Sequence, residues 1–105
     1  MWNPPSAELL KRVPRLRATE HIPAKEKLIH LHFFFGDCHW FVAEFDGDDL
    51  FFGYAVLNGD MLNSEWGYFA LSELNAINIH GLEIDHDLYL KPTPAREIER
   101  IKDYL

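Results

Sequence analysis

The sequence predicts an α+β fold, with one antiparallel sheet of four to five strands and short helices near both termini. Three observations carry this expectation. Apolar runs follow one another from Leu28 to Leu57 with only turn-forming residues between them, so sequential antiparallel pairing is the simplest topology. Strand-favouring aromatics are abundant, with eight Phe, four Tyr and three Trp. Helical spacing of apolar residues is confined to short stretches. At 105 residues and 48% apolar composition, the chain can bury roughly two thirds of its unfolded surface around one core, so a single domain over 1–105 is expected.

The elements follow in order. Leu9, Leu10 and Val13 share one side of a short helix over 7–13, capped by Ser6 or by Asn3 ahead of Pro4, and ended by Pro14. Residues 14–27 read as irregular, with a break at Pro23. A strand over 28–35 meets a strand over 38–45 through the turn Gly36-Asp37. Asp46-Gly47-Asp48-Asp49 is the next turn. Leu50 to Leu57 is apolar on both faces and belongs inside the sheet. A loop over 58–64 leads to a short strand over 65–69 and a short helix over about 71–76. Leu82 to Leu90 alternates, with Leu82, Ile84, His86, Leu88 and Leu90 on one face and Glu83, Asp85 and Asp87 on the other. Thr93-Pro94 is expected to open a last helix whose stripe is Ala95, Ile98, Ile101 and Leu105.

Charge is distributed unevenly. From Leu28 to Leu90 there are eleven carboxylates and no Lys or Arg, while the remaining segments hold all ten basic residues against six acidic ones. A −11 middle repels nucleic acid and attracts basic surfaces, so a basic protein partner is expected and direct DNA or RNA binding is not, unless the basic N-terminal residues Lys11, Arg12, Arg15, Arg17, Lys25 and Lys27 act alone. Such charge also keeps small domains soluble. Cys38 is the only cysteine, which excludes an internal disulfide and suits a reducing, cytoplasmic setting. Asn3-Pro4-Pro5 and Glu8 interrupt any signal peptide, and no apolar run approaches the roughly 20 residues of a membrane helix.

Motifs of known chemistry are missing: no phosphate loop, nucleophile elbow, HExxH or CxxC pair occurs. Asp46, Asp48 and Asp49 start like a calcium loop, but Leu57 stands where the twelfth-position glutamate is required, which leaves an Asp-rich turn. A two-residue turn at 36–37 pairs Phe34 with His39, His32 with Phe41 and His30 with Ala43. His30, His32 and His39 then share a face, with His32 and His39 diagonal neighbours roughly 7–8 Å apart, as candidate metal ligands; one added turn residue would send His39 to the other face. His86, on an apolar face, reads as a semi-buried histidine. Adjacent strand residues point apart, so Cys38 and His39 form no dyad.

The stretches PRLRATE (14–20), EFDGDDLFFGY (44–54), EWGYFALSEL (65–74) and DHDLYLKPTPAREI (85–98) resemble, in order, a small bacterial family catalogued as a domain of unknown function, number 2958. Arg17 stands where that family often has an aromatic, and His86 where it often has arginine. The resemblance implies a setting on plasmids, conjugative elements and phages, and supplies no catalytic residues.

Three functions of different classes are compatible with these readings. One is a non-enzymatic protein whose acidic, aromatic face binds a basic partner, such as a host nuclease complex of defence, with carboxylates recurring at about 6.6 Å in place of phosphates. Its candidate contacts are Asp46, Asp48, Asp49, Glu83, Asp85 and Asp87, with Trp40, Trp66 and Tyr68 as anchors. No cofactor is expected for it. The others are a metal-dependent enzyme using the histidines, and a structural subunit or homodimer formed through a strand edge.

Overall fold

Turn chemistry builds the sheet from local pieces. Gly36 takes φ +55°, which the first position of a tight hairpin demands, and joins β2 (Leu31–Phe35) to β3 (Cys38–Phe45) with Phe35 opposite Cys38, Phe34 opposite His39 and His32 opposite Phe41. Asp46 closes the next turn by accepting the N–H groups of Asp48, Asp49 and Leu50 on one carboxylate oxygen (2.7–3.0 Å), and β4 (Leu50–Val56) returns along β3. β5 (Glu65–Ala70) pairs with β4 in continuous register from Ala55–Glu65 to Leu50–Ala70. The computed structural model, which describes residues 4–105, places these strands and β8 (Asp85–His86) in a five-stranded antiparallel sheet of order β5-β4-β3-β2-β8. β4 is interior, as its two-faced apolarity requires.

Both faces of the sheet are covered. On one, α1 (Ala7–Arg12) and α2 (Leu71–Asn75) lay Leu9, Leu10, Leu71 and Leu74 over Leu31, Phe33, Trp40, Val42 and Phe51. Ser6 caps α1, its Oγ accepting from the Leu9 N–H at 3.2 Å; the alternative cap Asn3 lies outside the described residues. On the other face, Ile29, Ala95 and Ile101 pack on Phe41, Ala43, Tyr54 and Val56.

Three expectations need correction. The strand over 28–35 breaks at His30: β1 (Leu28–Ile29) leaves the sheet to pair with β9 (Thr93–Pro94). The alternating stretch 82–90 is not one strand. Positive φ at His80 (54°) and Gly81 (82°) makes a tight hairpin of β6 (Asn78–Ile79) and β7 (Leu82–Glu83), so only β8 (Asp85–His86) reaches the sheet, beside β2. Asp87 then turns the chain by accepting from the Tyr89 N–H at 2.9 Å, and Leu82 and Leu88 are exposed. The last helix is not α-helical. Thr93–Pro94 is held extended against β1, and only 3₁₀ turns follow, at Ala95–Glu97 and Lys102–Tyr104. The predicted stripe still packs, because Ala95, Ile98 and Ile101 recur every three residues, the period of a 3₁₀ turn.

Candidate functional site

The turn acids are divided between structure and solvent. Asp46 is committed to its own turn, and its carboxyl lies below the usual range chiefly because the Asp48 amide hydrogen bonds to it. Asp49 holds the start of α2, accepting the Ser72 N–H (2.8 Å) and hydroxyl (2.6 Å) on its side chain and the Leu71 N–H on its carbonyl. Asp48 is exposed. Glu83 and Asp85 are exposed on separate short strands, and Asp87 is half-buried beside His32, so the three do not form the evenly spaced row that one strand would give.

The aromatic candidates separate too. Trp40 is 8% exposed in the core under the helices and is no surface anchor. The strand alternation aims it inward, on the same face as Phe33 and Val42. Trp66 is half-buried, stacked on Phe52 (centroids 5.9 Å apart) and edge-on to Tyr54.

His32 and His39 are brought together, closer than a diagonal pair needs. His32 Nε2 and His39 Nδ1 are 2.9 Å apart in a direct hydrogen bond, and His32 Nδ1 faces Asp87 at 3.6 Å. The rings sit against Phe41 and Phe34. Burial, aided by Arg100 and His32, brings the His39 pKa down to about 4. Burial also lowers His32, against the pull of Asp87. The two nitrogens that a shared ion would use are bonded to each other, and no group of three His, Cys, Asp or Glu side chains converges on a metal position among the described residues. His30 lies between β1 and β2, with its own pKa lowered by burial. His86 is buried against Phe33, and Cys38 packs on the face opposite His39.

The most constrained polar cluster was not singled out from the sequence. A β-bulge between Val42 and Glu44 turns Glu44 away from the helix-covered face. Its carboxylate accepts the backbone N–H groups of Arg17 (2.9 Å) and Thr19 (3.1 Å) and the Thr19 hydroxyl. Lys27 stands 3.8 Å away and donates to the Thr19 carbonyl and hydroxyl. Burial pushes the Glu44 carboxyl up, but Thr19, the two amides and Lys27 outweigh it and hold it below its usual range. A cleft of about 640 Å³ opens here, with Arg17, Glu20, Phe52 and Tyr68 among its lining. The available signal was that Glu44 is the one charge inside the run Cys38–Phe45.

Fold and surface define the class: a small α+β domain of net charge −7, built on one five-stranded antiparallel sheet and presenting most of its carboxylates to solvent. The family model described as Protein of unknown function (DUF2958) matches residues 6–99, and the chain belongs to that family. Both motifs that meet at Glu44, 14–20 and 44–54, lie inside the match. No curated protein and no solved structure matches the chain. Among the described residues no helix is long and apolar enough to cross a membrane.

Proposed function

We propose that this chain is a non-enzymatic interaction protein that docks its anionic surface on a basic partner, in the setting of a mobile element and against a host protein that handles nucleic acid. One observation carries the reading. Of the eleven carboxylates between Leu28 and Leu90, eight are exposed, and among the described residues none of those eight makes an ion pair. Of the flank cations, Arg17, Arg96 and Lys102 pair with flank carboxylates and Lys27 pairs with buried Glu44. Arg15 stands near Asp46, and the eight exposed carboxylates, none of them ion-paired among the described residues, are left for a partner to neutralise.

The test is affinity capture from a bacterial lysate at low and at physiological salt, with the wild type and with Asp48→Asn/Glu83→Gln/Asp85→Asn. A basic protein is expected on the wild type, released as the screening length shrinks to about 8 Å and lost from the variant. Capture indifferent to both salt and the substitutions refutes electrostatic docking.

A further inference from the structure

The edge of the sheet at β5 carries a second, more specific feature. Along β4, the Leu50 carbonyl points towards β3, where it accepts from Asp46 N–H, so residues 51, 53 and 55 direct their backbone groups towards β5. The bond from Leu71 N–H to the Asp49 carbonyl continues that ladder. By the same alternation Glu65, Gly67 and Phe69 face β4, while Trp66, Tyr68 and Ala70 turn their N–H and C=O groups outward. Ala70 N–H is taken by Glu73 Oε1 at 3.0 Å, which leaves Trp66 and Tyr68 as the open part of the edge. The strand Glu65–Ala70 has no Lys, Pro or bulge, the devices that ordinarily protect an edge. The opposite edge, β8, is protected by being two residues long.

A cleft of about 440 Å³ lies beside this open edge, lined by Trp40, Ala55, Leu57, Leu74 and Ile77, with Glu65 and Glu73 also on it. Gly67 lies on it as well, and a Cβ built there meets nothing within 4 Å. A glycine inside a strand, bordering open space, marks close approach by another backbone or side chain.

We infer that β5 accepts one extended segment of a foreign basic protein as a sixth, antiparallel strand, with an apolar side chain opposite Gly67 entering the cleft and Lys or Arg two residues away facing Glu65. The inference rests on the basic-partner reading and names the surface. Residues of the added strand opposite Trp66 and Tyr68 exchange main-chain hydrogen bonds with them. The residue opposite Gly67 falls in a non-hydrogen-bonded pair, where side chains come closest, and on the cleft side. Charge selects the guest: the strand's own acid and Glu73 stand at the two ends of the open edge, and no Lys or Arg occurs from Leu28 to Leu90. A second copy of this chain fits poorly. Pairing Trp66 with Tyr68 across a dimer sets Gly67 against Gly67 and leaves the cleft unfilled, between two chains of charge −7.

The probe is the capped peptide Thr-Lys-Thr-Phe-Thr-Lys-Thr, titrated against the full chain with tryptophan fluorescence as readout, since Trp40 lines the cleft and Trp66 lies on the edge. Saturable binding is expected, weakened about tenfold or more when Phe becomes Ala or both Lys become Glu. N-methylation of either residue next to Phe abolishes it, whereas N-methylation of Phe itself, whose N–H faces solvent, does not. Gly67→Val places its side chain in the open space and blocks the peptide while thermal unfolding stays unchanged. Absence of binding at about 1 mM peptide, binding indifferent to the methylation pattern, or self-association of the wild type that Gly67→Val removes, each overturns the inference. Salt-dependent capture surviving in Gly67→Val would sink this site alone; peptide binding without any captured basic protein would sink the docking reading alone.

Discussion

Glu44 is where a single side chain does most for this fold. Its two oxygens accept two amides and a hydroxyl from the segment 17–19, and Lys27 closes the cluster, so one carboxylate ties an otherwise irregular stretch to the sheet. Glu44→Gln removes the charge that Lys27 faces and presents N–H donors to amide N–H groups. A loss of about 3–5 kcal/mol in urea unfolding at neutral pH is expected. Asp48→Asn, in contrast, changes an exposed side chain and is expected to stay within about 0.5 kcal/mol. The histidine pair gives the second residue-scale prediction. His39 is lowered from 6.5 to about 4 in the folded chain, so the unfolded chain binds a proton first as pH falls. Stability present above pH 6.5 is therefore lost progressively towards pH 4. Glu44, lowered from 4.5, adds its own loss only below that value. Urea midpoints measured across pH 6.5 to 4 should fall in the wild type and flatten in His32→Phe/His39→Phe; equal slopes in the two proteins would show that the pair does not set this dependence.

At the scale of elements, the bulge in β3 and the glycine opposite it act together. Ala43 is the extra residue between the pairs Val42–Gly53 and Glu44–Phe52, and the bulge is what sends Glu44 to its cluster. Gly53 is required there, because a Cβ on it would stand 1.9 Å from the Phe41 carbonyl oxygen, a backbone atom held in the sheet. Gly53→Ala is expected to lower the thermal midpoint sharply, at a cost of about 3 kcal/mol or more. Gly67→Ala, on the next strand, should leave the midpoint unchanged or raise it; similar losses at both would refute the steric account. The hairpins at 36–37 and 46–49 were legible because their turns are made by local residues. The pairing of β7 with β6 was not, because Leu82 to Leu90 alternates well enough for a strand and only the left-handed His80-Gly81 turn takes its first residues elsewhere.

At the scale of the molecule, the two ends of the chain close the two faces of one sheet. α1 covers the face with Phe33 and Val42, and the C-terminal 3₁₀ turns cover the face with Tyr54 and Val56. Ile101 is fully buried in the second layer, so Ile101→Ala should cost about 2–5 kcal/mol by guanidinium denaturation. A cost near zero would mean that the C-terminal cover contributes little to the folded state. The apolar stripe that marks this segment was readable, but whether it coils as α or 3₁₀ depended on β9 being held by β1.

The sequence by itself determined the strand order β2-β3-β4, the register of Phe34 against His39, the interior place of Leu50–Val56 and the concentration of carboxylates in the middle. These follow from turn chemistry and side-chain period, which act over a few residues. The tertiary structure alone decided that Trp40 is core, that Asp49 holds the start of α2, and that Asp87 faces His32. It alone decided, too, that Glu44 meets Arg17, Thr19 and Lys27 across 17 to 27 residues of chain. Burial and ion pairing depend on which distant segments share a face, and residue spacing along a chain does not contain that information.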